Sequence, residues 1–119
     1  MAMVKHVDVP METVSYVDDI SMDFEFEAIC PVPGLPYSGT IQVSYEPKAF
    51  GLSHPMVRLL EWNSLQEYLK SIRGERLLAE QMAQHVLRKV EDATGAEDIC
   101  VILTVESAFH LPVTVVASI

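Results

Sequence analysis

Basic side chains are scarce in this sequence. Its 119 residues include 8 lysines and arginines against 17 aspartates and glutamates, so the net charge is −9 with neutral histidines. Nucleic acids and anionic membranes are held largely by clustered cations. We therefore do not expect free nucleic acid or a membrane surface as a partner, unless a local basic patch or an assembled oligomer reverses the field.

Cysteine is scarce as well. The chain has 2 cysteines, Cys30 and Cys100, with neither CxxC spacing nor a nearby pair of histidines. This pattern argues against a cysteine-rich zinc site and against a disulfide framework. We expect two reduced thiols and no bound metal.

Long apolar runs are also missing. No stretch reaches the roughly 18 consecutive apolar residues of a membrane helix, and the N-terminal segment has no apolar run of signal-peptide length. The sequence therefore predicts a soluble protein that stays in the cytoplasm.

The composition that remains is globular, with 50% apolar and 21% charged residues in a chain of single-domain length. Such a chain buries enough apolar surface to offset the entropy lost on folding. We assign residues 1–20 to an N-terminal lead-in, loose up to about Pro10, and residues 21–119 to one domain.

Two strands are predicted in the first half of that domain. Residues 21–30 alternate apolar and acidic side chains, and residues 39–46 place Ile41, Val43 and Tyr45 on one face. Between them, three prolines in residues 31–36 force a turn, because proline has no amide donor and a fixed φ. Cys30 is therefore expected at a strand end beside a stiff loop, and the strands are expected to pair as a hairpin.

Two helices and a second hairpin follow. Apolar residues at spacings of three and four predict one helix from about Pro55 to Arg73 and another from about Glu75 to Ala93, which Gly95 ends. Residues 99–105 and 113–117 are β-branched runs typical of strands. The order ββααββ predicts an α+β fold, a four-stranded antiparallel sheet with two helices on one face. Its open edges favour a homo-oligomer.

Two motifs accompany this pattern. Residues 26–39 read FEAICPVPGLPYSG, and residues 61–73 read EWNSLQEYLKSIR. The first resembles the F-x-x-x-C-P-x-T-G-x-P-D-F-G pattern of the QueF family, which Tyr45-x-Pro47 continues. The second resembles that family's E-S-K-S-L-K-L-Y-L-x-S-F-R signature without a gap. The positions that agree are Glu61, Ser64, Leu65, Tyr68, Leu69, Ser71 and Arg73.

The resemblance implies the tunnelling fold, whose subunits form pentameric rings or decamers with active sites between subunits. It implies a small deazapurine, purine or pterin as the ligand. It also implies an enzyme of the queuosine-type pathway that reduces the nitrile of 7-cyano-7-deazaguanine. In that reaction a cysteine thiolate adds to the nitrile carbon to give a thioimide, and Cys30 is the matching nucleophile.

Other site residues follow from the same register. A free thiol is mostly protonated at neutral pH and needs a base or a positive neighbour. The family has an aspartate as proton donor and acceptor seven residues after the cysteine. Tyr37 takes that place here and is the second catalytic candidate, a phenol able to donate a proton but a poor base. Glu80 matches the glutamate that holds the base, since a carboxylate accepts two hydrogen bonds from a guanine-like edge. Glu61 and Ser64 are the remaining substrate-binding candidates.

The cofactor is where the sequence departs from the family. NADPH is the implied hydride donor, but the two lysines that face its phosphates are Asn63 and Gln66 here, and the family histidine is Ala79. These losses argue against NADPH. The QueF-like amidinotransferases of the archaeosine type keep the cysteine and add ammonia instead. The Arg73-Gly74 junction followed by Leu78-x-Glu80 resembles that branch.

A third alternative is a purine- or pterin-binding protein without catalysis. GTP cyclohydrolase I shows a weaker similarity, in Pro36-x-x-Gly39 and in Val43-x-Tyr45-x-Pro47, but its zinc histidine is Pro33 here.

Each residue also has a plainer interpretation. Cys30 can be a small apolar residue, and Glu80 a solvated carboxylate. His110, near the last turn, is a candidate replacement for the missing acid or simply an exposed histidine. Cys100 is expected in the core.

Overall fold

The computed structural model describes residues 3–51, 53–107 and 112–119. In chain order its elements are β1 (His6–Pro10), a 3-10 helix (Met11–Val14), β2 (Ile20–Ile29), β3 (Pro36–Tyr45), β4 (Ala49–Phe50), β5 (Met56–Leu60), α1 (Trp62–Ser71), α2 (Ala79–Thr94), β6 (Ile99–Ser107) and β7 (Val113–Ser118).

The main sheet has four antiparallel strands in the order β2-β3-β6-β7. Alternation sets its faces: Phe24, Phe26 and Ala28 of β2 are buried, and the acidic residues between them are exposed. On β3, Ile41 and Val43 are fully buried in the same core. Because β2 and β3 pair as one hairpin and β6 and β7 as another, the predicted ββααββ order is confirmed.

Both helices pack on one face of this sheet and supply the other half of the core. Met82, Val86 and Val90 of α2 are each 0% exposed, which confirms the packing stripe that their spacing predicts. Leu78 is an exception, because it precedes the helix and is partly exposed. The helix ends at Gly95, whose φ of 67° is the left-handed conformation that glycine adopts without strain.

A second, smaller sheet was not predicted. Its strand order is β1-β5-β4, and its pairings include Asp8 with Arg58. The prediction of a loose start up to Pro10 was therefore wrong for residues 6–10. So was the prediction of a helix from Pro55, because residues 56–60 pair with β1 and the helix begins only after Glu61. Short apolar runs suit either structure, and here the partner strand decides.

The second helix also begins later than predicted, at Ala79 instead of near Glu75. The intervening residues 75–77 are extended along the end of β2, and this pairing positions the candidate site. No helix in the part of the chain that the structure describes is long and apolar enough to cross a membrane.

Candidate functional site

Cys30 directly follows β2 and begins a tight turn. Its backbone N–H donates to the Leu35 carbonyl at 2.9 Å, and its own carbonyl accepts from the Gly34 N–H at 2.9 Å. Gly34 has φ of 73°, a conformation that non-glycine residues rarely adopt. The predicted location of Cys30 at a strand end beside a turn is confirmed, and its side chain is partly buried against the core.

The residues between the two helices pair with the end of β2. The Ile29 N–H donates to the Glu75 carbonyl at 3.1 Å, and the Leu77 N–H donates to the Ile29 carbonyl at 3.0 Å. Ile29 and Arg76 thus form a parallel bridge. Because α2 begins two residues after Leu77, its N-terminus is held next to Cys30.

Tyr37 faces this junction from the neighbouring strand. Its side chain is 5% exposed, and its ring packs edge-on against Phe26 with centroids 5.8 Å apart. Its hydroxyl donates a hydrogen bond to the Leu77 carbonyl. Burial raises the pKa of Tyr37 to about 12, and the nearby Cys30 and Glu80 act in the same direction. The phenol therefore stays protonated at neutral pH, with its proton directed at a backbone carbonyl.

These elements enclose a cavity of about 120 Å³. Its walls bring together three of the residues that the sequence nominated: Cys30, Tyr37 and Glu80. Glu80 lies in the first turn of α2 with an exposed side chain. The remaining lining residues are Leu78, Ala79, Val105 and Val113.

The arrangement combines a thiol, a carboxylate and a mainly apolar wall. The Leu78 N–H, at the N-cap of α2, donates to the Gln81 side chain at 2.9 Å. The N-terminus of α2 contributes Ala79 and Glu80 to the cavity, so the positive end of the helix dipole lies beside it. Pockets that enclose a whole small molecule usually measure about 300–1,000 Å³. This cavity, at about 120 Å³, is smaller than that range.

Glu61 and Ser64 lie elsewhere, at the start of α1. The Glu61 carboxylate accepts from the backbone N–H groups of Asn63 at 3.2 Å and Ser64 at 2.5 Å. The Ser64 hydroxyl donates to the Glu61 carbonyl at 2.6 Å and accepts from the Lys5 N–H at 2.8 Å. These bonds cap the helix and attach the N-terminal segment to it. The structure does not bring either side chain to the cavity with Cys30, and their role in substrate binding remains a prediction.

A larger groove of about 570 Å³ runs between α1 and the open edge of β2. Two cations, Lys70 and Arg73, line it beside Gln66, and Lys70 is already paired with Glu67 at 3.5 Å. Four carboxylates also line the groove. They belong to Asp23, Glu25, Glu27 and Glu106.

Cys100 and His110 are the two remaining residues that the sequence brought into consideration. Cys100 was expected in the core, but it is partly exposed and pairs with Ser44 and Ser118, on the sheet face away from the helices. His110 lies outside the described residues. Within the ranges that the structure covers, no group of three or more His, Cys, Asp or Glu side chains is arranged to hold a metal ion.

The strand order, the two helices on one face and the paired hairpins define an α+β protein with the tunnelling fold. A solved structure with the same fold is described as the crystal structure of the archaeosine synthase QueF-Like in the apo form. It superposes with a TM-score of 0.70 and 23% sequence identity, over 85% of this chain and 92% of that chain. No protein-family model matches the sequence.

Sequence reasoning missed the part that residues 75–77 play in the site. The groups that join this segment to Ile29 and Tyr37 are backbone N–H and carbonyl groups of Glu75 and Leu77, and side-chain patterns do not reveal those. It also missed Val105 and Val113, which line the cavity from the second hairpin. Both residues lie in the β-branched runs that predicted strands, but those runs did not show which element this end of the hairpin contacts.

Proposed function

We propose that this protein acts on the nitrile of 7-cyano-7-deazaguanine, or of a close analogue, through a thioimide on Cys30. The observation that carries the proposal is the shared cavity, where a partly buried thiol and the Glu80 carboxylate lie beside a wall of Leu78, Ala79 and Val105. The fold shared with the archaeosine synthase QueF-Like supports the same class of chemistry. An apolar wall with few convergent polar groups is typical of a site for a planar heterocycle.

The first step is an addition that needs no oxidant or reductant. The Cys30 sulfur forms a bond to the nitrile carbon, and one π bond of the nitrile breaks. The freed electron pair on nitrogen takes up the proton that the thiol loses. The product is a thioimide, and atoms and charge balance without a further reactant.

Glu80 is the group that we assign to the base itself. A carboxylate accepts two hydrogen bonds, which matches the adjacent amino and ring N–H groups of a guanine-like edge. Its exposed position at the start of α2 leaves both oxygens available to a ligand. The ordinary alternative, a solvated carboxylate at a helix N-terminus, predicts no effect on ligand affinity.

We propose ammonia, not hydride, as the second reactant. NADPH would supply a hydride, but its phosphates need cations, and the groove along α1 has four carboxylates against two cations. The residues in place of the family lysines, Asn63 and Gln66, are uncharged. The lining of this groove therefore does not fit NADPH. Ammonia adds to the thioimide carbon, the C–S bond breaks, and the products are an amidine and the free thiol.

The same charge argument favours the free base over a nitrile carried by RNA. A net charge of −9 repels a polyanion, and the repulsion grows with every subunit that an oligomer adds.

The small cavity favours a site that a second subunit completes, in a pentameric ring or a decamer. The exposed edges of β2 and β7 suit such an assembly.

Product analysis tests this proposal. Protein incubated with 7-cyano-7-deazaguanine and ammonium should release a product heavier by one ammonia, and NADPH should remain unoxidised. A product heavier by four hydrogen atoms, with NADPH consumed, would move the activity to nitrile reduction. Reversible binding with no product in either mixture would support the second candidate, a base-binding protein without catalysis. The engaged hydroxyl of Tyr37, in place of the family aspartate, favours that second candidate.

A further inference from the structure

We propose that Tyr37 is a positioning residue, a strap that fixes the start of α2 and with it the Glu80 side of the cavity. It is then not the proton donor of the reaction, although it stands where the family has an acid. The inference rests on the proposed function for its effect on the ligand. Its structural part can be measured without any ligand.

Three hydrogen bonds hold the short segment before α2, and the Tyr37 strap supplies one of them. Leu77 is held at both ends: its N–H donates to the Ile29 carbonyl at 3.0 Å, and its carbonyl accepts from the Tyr37 hydroxyl. The Glu75 carbonyl accepts from the Ile29 N–H at 3.1 Å. Of the three donors, only the Tyr37 hydroxyl belongs to a side chain, so it is the bond that a single substitution removes.

The position of Tyr37 makes this bond effective. Its ring is 5% exposed and is fixed by the edge-on contact with Phe26, so the hydroxyl has little freedom to turn elsewhere. The carbonyl that it binds lies immediately before Leu78, the N-cap of α2. The next two residues, Ala79 and Glu80, are walls of the cavity. Loosening this carbonyl therefore displaces the carboxylate that we assign to the base.

Cys30 does not depend on the strap. Its turn is closed by its own two hydrogen bonds, to Leu35 and from Gly34, at 2.9 Å each. A loss of the Tyr37 hydroxyl should therefore loosen ligand binding and leave the reactivity of the bound nitrile with Cys30 unchanged. If Tyr37 were a proton donor, its loss would lower the maximal rate and leave the half-saturating ligand concentration unchanged, because a proton donor acts only after the ligand is bound.

The matched control is Tyr45, another buried tyrosine with a hydrogen-bonded hydroxyl. It is 1% exposed, and its hydroxyl accepts from the Leu60 N–H at 2.8 Å, away from the cavity lining. Tyr37→Phe and Tyr45→Phe each remove one buried hydroxyl and leave one backbone group without that partner. A general loss of stability should therefore be similar in the two variants.

Two measurements test the strap. In covalent labelling with 7-cyano-7-deazaguanine, Tyr37→Phe should raise the half-saturating ligand concentration about tenfold and change the maximal rate less than about twofold. In hydrogen exchange, peptides covering residues 75–82 should exchange faster in Tyr37→Phe and not in Tyr45→Phe. A fall in maximal rate at unchanged half-saturation would overturn the inference and make Tyr37 a proton donor. Equal behaviour of the two variants in both measurements would also overturn it.

The two failures are distinguishable. If the wild-type protein forms no adduct, the proposed function fails, and hydrogen exchange alone decides the strap. If the wild type forms the adduct and Tyr37→Phe matches it in half-saturation and exchange, the strap fails and the proposed function stands.

Discussion

A Gly39→Ala substitution is expected to be strongly destabilising, although it adds one methyl group. Gly39 lies in β3 opposite Phe26 of β2, where the pairing with β6 shifts register. A Cβ at this position would lie 1.9 Å from the Thr104 carbonyl oxygen and 3.0 Å from the Val105 Cα. Both are backbone atoms, so no side-chain rotation relieves the overlap and the two central strands must separate. We expect a loss of about 3 kcal/mol or more in the free energy of unfolding.

Urea unfolding followed by circular dichroism measures this loss. Gly74→Ala is the matched control, because a Cβ there meets nothing within 4 Å and its φ is not positive. We expect the control to equal the wild type or to gain about 0.4–1 kcal/mol, since alanine reduces the entropy of the unfolded chain. A Gly39→Ala protein as stable as the control would contradict the packing of β3 against β6.

A Glu80→Gln substitution is expected to weaken binding of a guanine-like base by about 10- to 100-fold. The change preserves size and removes one of the two acceptors, and it turns an N–H donor toward the donors of the base. Hydrogen bonds to charged groups contribute about 1.5–3 kcal/mol, which corresponds to that range. Calorimetric titration with 7-deazaguanine, which has no nitrile, measures the affinity without a covalent step.

The control is Glu91→Gln, another exposed glutamate on α2, which does not line the cavity. It should bind the base as the wild type does. If Glu80→Gln also binds as the wild type does, Glu80 is an ordinary solvated carboxylate and the assignment of the base anchor is wrong.

The central ββααββ arrangement was predictable because it depends on periodicity. The alternation in β2 and β3 and the spacing of Met82, Val86 and Val90 each describe one buried face, and the structure buries those faces. The small sheet was not predictable, since Met56–Leu60 is too short for its period to separate strand from helix. Pairing with β1 decides its conformation. The paired residues are at least 46 positions apart in the sequence, as Met56 and Pro10 are.

The candidate site was likewise predictable only in part. Motif register brought Cys30, Tyr37 and Glu80 forward, and the structure places them around one cavity. It also brought Glu61 and Ser64 forward, but in the structure their side chains cap α1. A carboxylate and a hydroxyl three residues apart suit both roles, and sequence alone does not separate them. The hydrogen bond from the Tyr37 hydroxyl to Leu77 was not predictable, because its acceptor is a backbone carbonyl and its donor lies on a distant strand.

The most direct test of the account is the intact mass of the protein after incubation with 7-cyano-7-deazaguanine, without NADPH or ammonium. We predict a gain of one ligand mass per chain in the wild type and in Cys100→Ala, and no gain in Cys30→Ala. Absence of a gain in the wild type, or a gain that survives in Cys30→Ala, would contradict the assignment of Cys30 as the nucleophile of a nitrile-modifying enzyme.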